Sequence, residues 1–108
     1  MSDISNREGR ITITIVTAYE ILKGAYLSSD REYNLKNAKA AISSMQVLDL
    51  SSDACEEASR IFCELKKSGT MISEFDILIA AIAKINGEAI LSRDQHFRSI
   101  KGIDLVQF

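Results

Sequence analysis

A chain of 108 residues, 46% hydrophobic and 26% charged, is long enough for one core of its own, and this balance excludes a disordered polypeptide. No apolar run is long enough to span a bilayer, and Met1-Ser2-Asp3-Ile4-Ser5-Asn6-Arg7 has no signal-peptide pattern, so the expectation is a cytoplasmic protein with no membrane role. A net charge of −2 without any Lys/Arg run weighs against a tight nonspecific nucleic-acid binder; it suits a carboxylate site that reaches phosphate through metal, or a protein partner.

The first eight to ten residues are polar, end at Gly9 and are expected to be loosely held in a single domain covering 1–108. Ile11-Thr12-Ile13-Thr14-Ile15-Val16 alternates β-branched residues, which predicts a strand. From Thr17 to Leu27, residues Ala18, Ile21, Leu22 and Ala25 share one helical face. After the polar break Ser28-Ser29-Asp30-Arg31, a second helix carries Leu35, Ala38, Ala41, Ile42 and Met45 as its apolar stripe. Gln46 to Leu50 is too short for a helix and predicts a strand. Ser51-Ser52-Asp53 then supplies capping groups for a third helix, with Ala54, Cys55, Ala58, Ile61, Phe62 and Leu65 at amphipathic spacing. Lys66 and Lys67 close that helix and Gly69 stops it.

A fourth helix spans about Ser73 to Asn86, with Gly87 as its stop. Its centre, Ile77-Leu78-Ile79-Ala80-Ala81-Ile82-Ala83, is apolar all round, which predicts burial on every side. Short strands at Ala89–Ser92 and Gly102–Val106 complete an alternation of strands and helices, the pattern of crossovers over a mainly parallel sheet. Cys55 and Cys63 stand two turns apart on one predicted helix, too far for a disulfide, and are expected to be reduced packing residues.

Ligands of open parallel sheets bind beyond the carboxyl ends of the strands. The first predicted strand leads into Thr17-Ala18-Tyr19-Glu20 and a later one into Arg93-Asp94, so Glu20 and Asp94 are expected at one sheet edge. Asp76 opens the buried helix, where an unpaired carboxylate is expensive to hide. Three acids at one edge make a hard-oxygen site suited to Mg²⁺ or Mn²⁺. Each acid also has a purely structural reading. Thr17-x-x-Glu20 and Ser73-x-x-Asp76 both fit a capping box, and Asp94 alone fits a turn. Asp49 also follows a strand but suits a polar turn, and the sole histidine, His96, suits a solvated loop.

These residues resemble the VapC-like branch of the PIN-domain family. Thr17-Ala18-Tyr19-Glu20 followed by Gly24 is similar to the family's threonine-x-x-glutamate segment. The stretch from Gly69 through Ser73 and Asp76 to Ala83 resembles its segment in which an aspartate opens an isoleucine- and alanine-rich helix. Ile90-Leu91-Ser92-Arg93-Asp94-Gln95-His96-Phe97 resembles its strand-end motif, and Ile100 to Val106 its closing strand. The resemblance implies a PIN-like three-layer α/β fold. It also implies a Mg²⁺- or Mn²⁺-dependent ribonuclease, the toxin of a toxin–antitoxin pair. Glu20, Asp76 and Asp94 would be its metal-binding and catalytic acids, with Thr17, Ser73, Ser92 and Arg93 in support. RNA would be the substrate, an antitoxin the protein partner, and a dimer the assembly.

The resemblance further implies a central strand ending in an aspartate. The segment before Ile11 is too short for that strand and its following helix, so the chain is expected to be N-terminally truncated with respect to the family pattern. The missing ladder is then upstream, supplied by a second subunit, or replaced by a rearranged sheet. The alternative function is a PIN module without catalysis that binds an antitoxin or itself through an exposed sheet edge.

Overall fold

The computed structural model describes residues 3–7, 10–91, 95–103 and 105–106. The elements in chain order are β1 (Asp3–Arg7), β2 (Arg10–Thr14), α1 (Ile15–Leu27), α2 (Arg31–Ser43), β3 (Gln46–Leu48), α3 (Ser52–Ser68), α4 (Glu74–Ile85), β4 (Ile90–Leu91), a short 3-10 helix (Gln95–Ser99) and β5 (Leu105–Val106). The five strands form one sheet in the order β3-β2-β1-β4-β5. Strand β2 runs parallel to β3, and β4 parallel to β5, while β1 is antiparallel to both β2 and β4. Four strands therefore point one way, and β1 alone opposes them.

Within the segment before Ile11, Asp3–Arg7 forms a strand. Asp3–Arg7 fills the middle of the sheet, with Ile4 opposite Thr12 on one side and Ile90 on the other. A hairpin into β2 needs no crossover helix, so the short segment before Ile11 is long enough to pair in this reversed sense. The register of that pairing shifts between Ile4 and Arg7.

In β2, successive side chains point to opposite faces. Thr12, Ile13 and Thr14 are nevertheless all buried, so both faces of the sheet are covered. The Thr12 hydroxyl is satisfied by Gln46 of β3, donating to its Oε1 at 3.2 Å. Below the sheet, α3 and α4 pack together along Ala54, Ala58, Ile61 and Leu65 of the first and Ile77, Ile79, Ala80, Ala81, Ile82 and Ala83 of the second. Alanines at the centre of α4 let its backbone approach closely. Val16, Ile90, Phe97 and Ile100 close this core from the other elements.

Local signals set the helix ends. The Ser51 hydroxyl accepts from the Ala54 amide at 3.1 Å, and Gly69 ends α3 at φ 72°, a left-handed conformation a side chain would strain. Helix α2 has no fully buried residue. Its predicted stripe is only half covered at Leu35, Ala38, Ile42 and Met45, and Ala41 is exposed. The two cysteines are free, as expected, but both are exposed, a correction to the packing role expected for them. The buried stripe of α3 runs through Ala54, Ala58, Ile61 and Leu65, so Cys55 and Cys63 fall on its flanks.

One polar network ties α3 to α4. Glu57 accepts from Arg60 Nε at 2.6 Å and faces Lys84 Nζ of α4 at 3.4 Å, while Arg60 also bonds Glu64. The hydrogen bond from Arg60 holds the Glu57 carboxyl below its ordinary value of 4.5, against the upward push of partial burial. A depressed folded-state value means the contribution is complete above the unfolded value of 4.5 and is lost as pH falls through it toward the folded value. Glu57→Gln is therefore expected to cost about 1 kcal/mol at pH 7 and less at each step below pH ~5. Urea melts of both proteins across that range check this, and a difference independent of pH would refute it.

Candidate functional site

All four co-directed strands end at one sheet edge, and the chain leaves that edge from β2 directly into α1. The turn is not built as the sequence suggested. The strand stops at Thr14, whose extended backbone (φ −86°, ψ 160°) makes it the N-cap of α1, and its side chain accepts from the Thr17 amide at 3.1 Å. The Thr14 hydroxyl also donates to Thr17 Oγ1 at 3.4 Å, within a fully buried pair. The cap therefore lies three residues earlier than the expected Thr17-x-x-Glu20 box. Thr17 is the third helical residue and anchors the turn from beneath.

That shift changes the meaning of Glu20. It sits in the second turn of α1, where no orphan amide needs it. Its side chain is half-buried and carries no hydrogen bond or ion pair among the described residues. Asp76 is in the same condition. The Ser73 hydroxyl caps α4 by accepting from the Asp76 backbone amide at 3.2 Å, which leaves the half-buried Asp76 carboxylate without a partner among the described residues. Neither carboxylate is engaged by another described residue, which leaves both available to a ligand.

The helix turns that carry the two acids are joined by the neighbours of those acids in sequence. Tyr19 and Phe75 meet edge to face, with ring centroids 5.7 Å apart and planes at 75°. This contact sets the turn carrying Glu20 beside the turn carrying Asp76. Lys23 joins them, its Nζ lying 5.3 Å from the Tyr19 centroid and 5.5 Å from that of Phe75. None of these three was singled out in the sequence, although Tyr19 and Lys23 stand four residues apart on one helix face, the spacing of a side-chain pair.

Ser92, Arg93 and Asp94 lie outside the described residues; β4 ends at Leu91, on the same edge as Thr14. The pairing of Asp3 with Leu91 places the start of β1 at that edge as well. Among the described residues no group of three His, Cys, Asp or Glu side chains is gathered for a metal ion. Asp49 is exposed, in keeping with a turn residue. The groove between α3 and α4, lined by Cys55, Ala58, Phe62, Ile77 and Leu78, is apolar apart from Ser59 and Glu74 and brings no pair of acids together.

A sheet with four co-directed strands, flanked by helices, with Asp76 in the first turn of a buried helix and Glu20 in the second turn of α1, makes this an α/β domain. The chain belongs to the PIN-domain family, whose model matches residues 2–103. It is 32% identical over 95 residues to the tRNA(fMet)-specific endonuclease VapC of Salmonella typhimurium, covering 87% of this chain and 72% of that protein. It is 29% identical over 94 residues to Ribonuclease VapC2 of Haemophilus influenzae, covering 87% of this chain and 71% of the other. The fold matches the DNA-bound VapBC crystal structure from Salmonella typhimurium with a TM-score of 0.84 at 30% identity, over 89% of this chain and 74% of that one. It matches VapBC-1 from nontypeable Haemophilus influenzae with a TM-score of 0.86 at 21% identity, over 95% and 78%. No helix among the described residues is long and apolar enough to cross a membrane.

Proposed function

We propose that this protein is a VapC-like ribonuclease, the toxin of a toxin–antitoxin pair, which hydrolyses RNA phosphodiesters in the cytoplasm with Mg²⁺ or Mn²⁺. The observation that carries the reading is the pair Glu20 and Asp76: half-buried, unpartnered among the described residues, and carried on helix turns joined by the Tyr19–Phe75 contact, in a PIN domain whose relatives are named endonucleases. Carboxylate oxygens are the donors a hard divalent cation prefers, so the residues suit such an ion. Glu20, Asp76 and, from the strand-end motif, Asp94 would hold it.

When bound, the ion supplies charge that offsets the build-up on the phosphate oxygens and makes a water more acidic. The protein's own part is positioning. The buried Thr14–Thr17 cap fixes the first turns of α1 and so the height of Glu20 above the sheet. The Ser73 cap fixes the first turn of α4 through the Asp76 amide and leaves the carboxylate available. Ser92 and Arg93 would support Asp94 and the substrate phosphate. The VapBC neighbours support an antitoxin as the protein partner, and a dimer is the proposed assembly.

The relatives' named activity toward tRNA makes tRNA the first substrate to test. Purified protein is expected to cleave it with Mn²⁺ or Mg²⁺ and to stop when EDTA removes the ion. Cleavage that survives EDTA would overturn the mechanism. A protein that neither binds Mn²⁺ nor cleaves would instead be the non-catalytic binding module.

A further inference from the structure

On α1, Tyr19, Lys23 and Tyr26 stand at i, i+4 and i+7, and so share one helix face. The row starts at the turn that carries Glu20 and runs about 10 Å along the helix. Tyr19 and Tyr26 are each 51% exposed, and Phe75 beside them is 40% exposed. Cations are seated on these rings: Lys23 spans Tyr19 and Phe75, and Arg31 lies 5.8 Å from the Tyr26 centroid. Arg31 is also held by a hydrogen bond from its Nε to the Tyr26 carbonyl at 2.9 Å, which fixes it at the end of the row.

We propose that this aromatic and cationic row on α1 is a track for single-stranded RNA, on which unpaired bases stack while Lys23 and Arg31 contact phosphate, leading the strand to the carboxylates. The inference rests on the ribonuclease reading and adds to it the residues that hold the strand beside the cut.

Three observations favour a nucleic acid as the occupant. The exposed surface consists of flat rings alternating with cations, the composition of a stacking platform, where each base has a π-face to offer. Its length corresponds to about three base-stacking intervals of ~3.4 Å. Charge is also distributed to suit it: α1 through α2 carries four basic residues against three acidic ones, whereas the remainder carries nine against twelve. An acidic protein thus shows its relatively basic segment where the strand would lie. The row is continuous with the carboxylate site through Tyr19 and Phe75.

The test is fluorescence anisotropy of a fluorescein-labelled oligouridylate of about ten nucleotides, within the usual site size of single-strand binders, in EDTA so that nothing is cut. Tyr26→Ala is expected to weaken binding about tenfold, and Tyr26→Phe to keep it, because the ring and not the hydroxyl is used. Arg31→Gln is expected to weaken binding and reduce its dependence on salt. Mn²⁺ binding, followed by paramagnetic line broadening, stays intact in all three, which separates this track from the metal site. If the wild-type protein binds the oligonucleotide but cleaves nothing even with metal, the catalytic reading fails while the track stands. Unchanged RNA affinity in Tyr26→Ala, or no RNA affinity in the wild type, overturns the track. Unchanged RNA affinity together with altered sedimentation would assign the row to a second copy of the chain.

Discussion

Asp76→Asn is expected to reduce metal-dependent RNA cleavage by at least about a hundredfold, and to weaken Mn²⁺ binding by a similar factor. The substitution keeps the shape of the side chain and removes its charge. The fold has little reason to respond, because the Ser73 cap is made to the Asp76 backbone amide and not to its side chain. Loss of a negative charge from the first turn of α4 costs only about 0.3–1 kcal/mol through the helix dipole. A melting temperature near that of the wild type, combined with lost activity, is therefore the signature of a functional acid. Cleavage unaffected by the change would remove Asp76 from the site and with it the mechanism proposed.

The largest effect on stability is expected at Phe97. It is 1% exposed and joins the short 3-10 helix to Ile90, Ile100 and the apolar centre of α4. Replacing a buried phenylalanine by alanine costs about 3–5 kcal/mol, the lost transfer energy plus the cavity left behind. That is a large share of the ~5–15 kcal/mol available to a domain of this size. The melting temperature should fall by about 15 °C or more. Phe97→Leu, which keeps most of the volume, should cost no more than about 1.5 kcal/mol and serves if the alanine variant does not fold. Urea denaturation followed by circular dichroism reads both. A cost below ~1 kcal/mol for Phe97→Ala would show that the ring does not hold the segment after β4 onto the core.

Most helices were legible because their signals are local. Ser51 with Ala54, Gly69 at the end of α3 and Ser73 before α4 are capping chemistry within a few residues, and each appears where the sequence placed it. The apolar run from Ile77 to Ala83 could only be a buried helix, and it is. The start of α1 was less legible. Thr14 and Thr17 offer the same hydroxyl three residues apart, and local chemistry ranks neither as the cap. The ladder decides: β2 pairs with β3 only as far as Thr14 opposite Leu48, and the helix begins at the next residue.

The sequence by itself therefore determined the helices, the caps of α3 and α4, and the family, since periodicity, capping and motif spacing are short-range properties. Only the tertiary structure decided that Asp3–Arg7 runs backwards through the middle of the sheet, because its partners Thr12 and Ile90 lie far apart in the chain and nothing local encodes their meeting. It also decided that the two cysteines face outward, that Glu20 is released from capping, and that Tyr19 meets Phe75. That last contact joins two segments more than fifty residues apart in sequence. The packing of α1 and α4 creates it, and it joins the turns that carry Glu20 and Asp76.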